Sequence, residues 1–157
     1  MKTIKNYLQQ HAEEILLDIR ELVVAESPSM NKAAVDRCGE VLQSLFAKRL
    51  GVEAEIDEQP HYGNHLKFTL GNGDEQTVLL GHFDTVWDEG ELVMREEDGK
   101  LYGPGVLDMK AGLVQAIWRY ARCNITIYWR ANALCFCAAA MRKSVAQAPA
   151  PGYRTTP

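Results

Sequence analysis

The stretch Thr77-Val-Leu-Leu-Gly-His82-Phe-Asp84-Thr-Val-Trp87 decides how the chain is read, together with Tyr102-Gly-Pro-Gly-Val-Leu-Asp108-Met-Lys-Ala-Gly112. Val78, Leu79 and Leu80 form a short continuous apolar run. Such a run predicts a central strand covered on both faces. Gly81 opens the backbone, and His82, Asp84 and Asp88 follow at the strand's carboxyl end, where open α/β sheets bind ligands. His82 and Asp84 are two apart, so in extended chain their side chains point the same way. An imidazole can then offer a ring nitrogen to a metal while a neighbouring carboxylate steadies it. Asp108 lies 26 residues after His82, behind a Gly-Pro-Gly turn and ahead of the apolar run Leu113, Val114, Ile117, Trp118. A carboxylate presented there can bridge two cations about 3.5–4 Å apart.

Each piece has a plainer reading alone. An isolated His-x-Asp is a weak metal signal, and an isolated aspartate before a helix is more often an N-cap. Together, after an apolar strand and flanked by glycines, they form a much sharper pattern. Gly81-His82-Phe83-Asp84-Thr85-Val86 followed by Gly103-Pro104-Gly105-Val106-Leu107-Asp108-Met109-Lys110-Ala111-Gly112 resembles the two-zinc exopeptidase and deacylase family. That family includes carboxypeptidase G, acetylornithine deacetylase, succinyl-diaminopimelate desuccinylase and aminoacylase. The resemblance covers about residues 1–118. It implies His82 as a ligand of one zinc, Asp108 as the carboxylate bridging two, and Asp84 as the catalytic-site acid that orients the histidine. It implies hydrolysis of an amide bond beside a free carboxylate, with a peptide or N-acyl amino acid as substrate. Zinc is the expected metal; cobalt or manganese suits the same ligands.

Around this core the chain reads as α/β, with helices packed on a mixed sheet. Ile4, Leu8, Ile15, Ile19, Leu22 and Val23 recur at helical spacing and predict one amphipathic helix over 4–23, ended by Ser27-Pro28-Ser29. A second helix is predicted over about 31–49, stopped by Gly51. Val52–Asp57 and Leu66–Leu70 alternate as half-exposed strands. Residues 96–100 read as a hairpin turn between 92–94 and 101–102. His61 and His65 read as loop histidines, and Asp88, Glu89 and Glu91 as solvated acids.

The length, 157 residues, suits one domain. The net charge of −4 gives no reason to expect nucleic acid or an anionic membrane as partner. The first residues have no apolar core of a signal peptide. No apolar run approaches the roughly 20 residues that span a bilayer. Four cysteines without a framework pattern point to a reducing cytoplasm. Oligomeric state is not legible.

The averages hide a break. All 21 acidic residues lie at or before Asp108. Residues 1–118 carry 11 basic residues against those 21, a net −10, while residues 119–157 carry +6. The family places a Glu-Glu pair after the bridging aspartate, as general base and zinc ligand; here no acidic residue follows Asp108 and no histidine follows His82. A general base is needed to activate water. The expectation is therefore an incomplete catalytic domain over 1–118 and an aberrant, frame-shifted, irregular tail over 119–157, with Cys135-Phe-Cys137 only a weak soft-metal signal. The product itself is expected to be inactive. The 87–92 stretch leans toward the carboxypeptidase G branch.

Overall fold

The computed structural model describes residues 4–122 and 132–139. Its elements run α1 (Ile4–Gln10), α2 (Ala12–Val24), α3 (Lys32–Leu50), β1 (Glu55–Asp57), β2 (His65–Leu70), β3 (Glu75–His82), β4 (Arg95–Glu97), β5 (Lys100–Tyr102), α4 (Ala111–Arg122) and β6 (Asn132–Ala139). The class is mixed α/β, as the sequence predicts.

The caps of α3 are those its sequence dictates. The Asn31 side chain accepts from the Ala34 N–H at 3.1 Å, satisfying one orphan donor of the first turn. Gly51 closes the helix in the left-handed region at φ 67°, which costs a glycine nothing. The N-terminal stripe instead divides at His11 into α1 and α2. No glycine or proline marks that break, so periodicity alone could not show it.

Four strands form one sheet in the order β1-β2-β6-β3. β1 and β2 are antiparallel, β6 is antiparallel to β2, and β3 is parallel to β6 with His82 opposite Ala139. One face packs on the helices. Phe46 of α3 stacks on Phe68 of β2 at 3.6 Å between ring centroids, and Phe136 of β6 meets the same pair. Leu22, Leu42, Leu113 and Ile117 complete this single core.

Two expectations need correction. β3 is the edge strand of this sheet rather than its middle strand. It is also covered on one face only: Val78 is 58% exposed and Leu80 67%. Their apolar run fits a two-sided strand, but among the described residues nothing packs on that second face. The hairpin is shifted as well. β4 pairs with β5 across Asp98-Gly99, both at positive φ (51° and 69°), a backbone that twists with the flanking strands.

Of the tail, residues 119–122 continue α4 and 132–139 form β6 inside the sheet. The rest of 119–157 lies outside the described residues.

A buried ion network ties the helices together. Asp18 is 1% exposed. It accepts from Arg49 Nε at 2.8 Å and Nη2 at 3.0 Å, and from Trp118 Nε1 at 2.8 Å. The Arg49 guanidinium also lies 4.3 Å from the centroid of the Trp118 ring. One carboxylate thus joins α2, α3 and α4.

Candidate metal centre

His82 ends β3, and the chain runs on through Phe83, Asp84 and Thr85 beside the loop that follows α2. Thr85 donates its N–H to Ser27 O at 2.7 Å, and Ser29 N–H donates to Thr85 O at 2.9 Å. Ser27 Oγ adds a bond to Phe83 O at 2.6 Å. Two segments more than 50 residues apart therefore hold the strand end rigidly, with Phe83 and Asp84 both buried.

The imidazole is oriented by Asp84. Nδ1 lies 3.1 Å from the Asp84 carbonyl and 3.4 Å from its carboxylate Oδ1. Ser29 Oγ in turn donates to Asp84 Oδ2. With Nδ1 carrying a proton toward Asp84, Nε2 is the atom left to ligate a metal once its own proton is lost. Nε2 faces Asp108 Oδ1 at 2.9 Å. The His82 pKa is raised, first by the hydrogen bond to the Asp84 carboxylate, against the opposing effect of burial, with Asp84 O and Asp108 adding to it.

Asp108 comes from a separate segment. Gly105 sits at φ 78°, and a Cβ there would meet Thr85 Cγ2 at 2.8 Å and Lys110 Cδ at 3.2 Å. Only glycine lets the Gly103–Gly105 turn lie so close to the strand end. Asp108 itself has extended backbone (φ −128°, ψ 91°) within the distorted turn Val106–Lys110. It stands three residues ahead of Ala111, where α4 begins, so it is not the residue that directly precedes that helix, and its side chain is 66% exposed. Gly105→Ala is expected to cost about 1–3 kcal/mol, from an unfavourable φ plus the clash, measured as a lower urea midpoint.

Lys110 anchors the turn from below. It is fully buried, its Nζ donates to Ala25 O at 2.8 Å, and its stem packs beneath Gly105. Burial pushes its pKa down, against the neighbouring Cys38, Glu26 and Asp84. No sequence pattern points to these supporting roles of Lys110 and Ser29. A serine after a helix and a lysine before one carry no periodic signal, and their roles exist only through partners 55 and 85 residues away.

His82 and Asp108 fit a metal in donor type. Zinc ligated tetrahedrally at about 2.0–2.2 Å by N and O separates the two donors by roughly 3.3 Å. The observed 2.9 Å needs only a small opening. Among the described residues no group of three or more His, Cys, Asp and Glu is spaced to hold an ion. His61 and His65 do not join the pair. Asp88, Glu89 and Glu91 are exposed, as predicted; Glu89 pairs with Arg37 at 3.0 Å and Glu91 accepts from Asp88 N–H at 3.1 Å.

A strand-end imidazole is thus braced by a buried carboxylate and faces a second carboxylate from a glycine-rich turn. Comparison with known proteins shows what the chain is similar to. Residues 78–134 match the family model for peptidase family M20/M25/M40. The acetylornithine deacetylase of Photorhabdus laumondii is 37% identical over 102 residues, which cover 58% of this chain and 26% of that protein. The acetylornithine deacetylase of Proteus mirabilis is 36% identical over the same shares. Human carnosine dipeptidase 1 superposes with a TM-score of 0.70 at 22% identity, covering 88% of this chain and 34% of that one. An M20 family metallo-carboxypeptidase from Sulfolobus solfataricus gives 0.65 at 17% identity, covering 81% and 30%. The resemblance carried by the two motifs therefore holds: the chain is similar to the M20/M25/M40 peptidases over part of its own length and of theirs. It spans about a quarter of the sequence relatives it matches. The family match extends to residue 134, past Arg119.

Proposed function

We propose that His82 and Asp108 are metal ligands, that Asp84 positions His82, and that the parent activity is zinc-dependent hydrolysis of an amide bond beside a free carboxylate. The observation that carries this is the 2.9 Å approach of His82 Nε2 to Asp108 while Nδ1 is committed to Asp84. Zinc held there supplies Lewis-acid polarisation of the scissile carbonyl. The chain's own residues fix the tautomer of His82, hold Asp108 at the strand end, and exclude water from Asp84. The substrate class is a small peptide or an N-acyl amino acid, and the compartment is the cytoplasm.

A second reading concerns the 157-residue product itself: a catalytically inactive chain with weak metal binding. The lack of any acidic residue after Asp108 favours it. Incubating the purified chain with zinc and an N-acyl-glutamate separates the two. Turnover abolished by His82→Ala supports the hydrolase; no turnover at any zinc concentration supports the inactive product.

With wobble bases free, the codons for Ala138 to Ala146, read from their third base, permit Ser-Ser-Asp-Glu-Glu-Val-Gly-Ser. Met141 has a single codon and Lys143 two, so the match is constrained. β6 ends at Ala139, opposite His82. The codons that follow are those the shifted frame reads as Asp-Glu-Glu, the acids a hydrolytic centre at His82 needs. The coding DNA tests this: early stops in the shifted frame, or no Asp-Glu-Glu there, contradict it.

Asp84→Asn is expected to weaken zinc binding about 10–100-fold, the usual effect of losing a ligand's supporting carboxylate, read by calorimetric titration.

A further inference from the structure

Beside Asp108 lies a cavity of about 500 Å³, in the size range of small-molecule sites. Its walls are the Thr85–Trp87 segment and the β4–β5 hairpin with the turn that follows. Trp87, Leu92, Leu101, Tyr102 and Val106 make most of its surface apolar or aromatic. Among the described residues its charges besides Asp108 are two cations, Arg95 and Lys100. Arg95 is spoken for: its guanidinium lies 4.4 Å from the Tyr102 ring centroid, and its Nε is 3.5 Å from Glu97. Lys100 is exposed and has no ion-pair partner among the described residues. In a segment whose overall charge is −10, a cavity with cationic walls runs against the prevailing sign.

We propose that this cavity is a substrate subsite for the aromatic or bulky apolar group of an N-acyl amino acid, with Lys100 pairing with the substrate carboxylate and the same ammonium rejecting positively charged substrates. The assignment builds on the reading of Asp108 as a metal ligand, since that places the cavity against the reacting bond. The physical case has two parts. Flat aromatic walls favour an aromatic group, whose stacking adds to its burial. An unpaired ammonium at the cavity wall adds attraction for a carboxylate. A substrate that carries its own ammonium, such as N-acetylornithine, meets the like charge of Lys100 instead. The selectivity therefore differs from what the names of the sequence relatives suggest.

The test is calorimetric titration of the full chain with hippurate (N-benzoylglycine) and with N-acetylornithine, with and without zinc. Hippurate is expected to bind at least tenfold more tightly under both conditions. Lys100→Glu removes at least tenfold of hippurate affinity, and Lys100→Arg restores it, with circular dichroism unchanged in both. Equal affinities, a preference for N-acetylornithine, no binding of either, or a Lys100→Glu chain that binds hippurate normally overturns the proposal. A parallel zinc titration keeps the two readings apart. Hippurate preference in a chain that binds no zinc upholds the subsite and refutes the metal pair; zinc binding without the preference does the reverse.

Discussion

Asp18→Ala is expected to destabilise the chain by about 3–5 kcal/mol, the typical cost of removing one partner from a buried ion pair. Four donors depend on this carboxylate: Arg49 Nε, Arg49 Nη2, Trp118 Nε1 and, at 3.4 Å, Lys48 Nζ. Without it the guanidinium, whose side chain is only 16% exposed, stays inside without a full counter-charge. Glu14 still reaches Arg49 Nη1 at 2.9 Å, but from a more exposed position. The same network sets an acid limit. Burial opposes ionisation of Asp18, yet the Arg49 and Trp118 hydrogen bonds outweigh it, so its pKa is lowered. The unfolded chain therefore binds more protons than the folded one as acid is added. The contribution is fully present above the ordinary aspartate pKa of about 3.9 and is lost as pH falls through the lowered folded value. Urea midpoints measured from pH 6 downward should fall in that window for the wild type and change less for Asp18→Ala.

His82→Ala has the second large effect. A supporting carboxylate accounts for about 10–100-fold in metal affinity; loss of the ligand itself is expected to exceed that and bring zinc binding to the background of surface carboxylates. Binding should also depend on pH with a definite sign. The metal needs the unprotonated imidazole, so protons compete with it. Because hydrogen bonding to Asp84 raises the His82 pKa, zinc affinity should begin to fall above the ordinary histidine value of about 6.5 as pH is lowered.

The site was legible because its chemistry is local. His82 and Asp84 share a strand end, and Asp108 follows a turn whose glycines announce a close approach. The supports were not legible. Ser29 and Lys110 act across 55 and 85 residues on atoms that no spacing rule connects. Helix α3 could be read nearly to the residue, since Asn31 and Gly51 are chemically explicit caps. The break at His11 has no such marker. The largest misreading, β3 as a middle strand, has a simple cause: Val78 and Leu80 have the composition of a strand covered on both faces, while composition says nothing about which chain supplies the cover. In the described residues β3 is an edge with two exposed aliphatic side chains, a surface prone to association.

The claim that the rest depends on is that His82 and Asp108 share one cation. Cobalt titration of the wild type, His82→Ala and Asp108→Asn, followed by the visible spectrum, addresses it directly. The account predicts a ligand-field spectrum in the wild type that is abolished by either substitution, with unchanged circular dichroism. An identical cobalt spectrum and affinity in all three chains would contradict it.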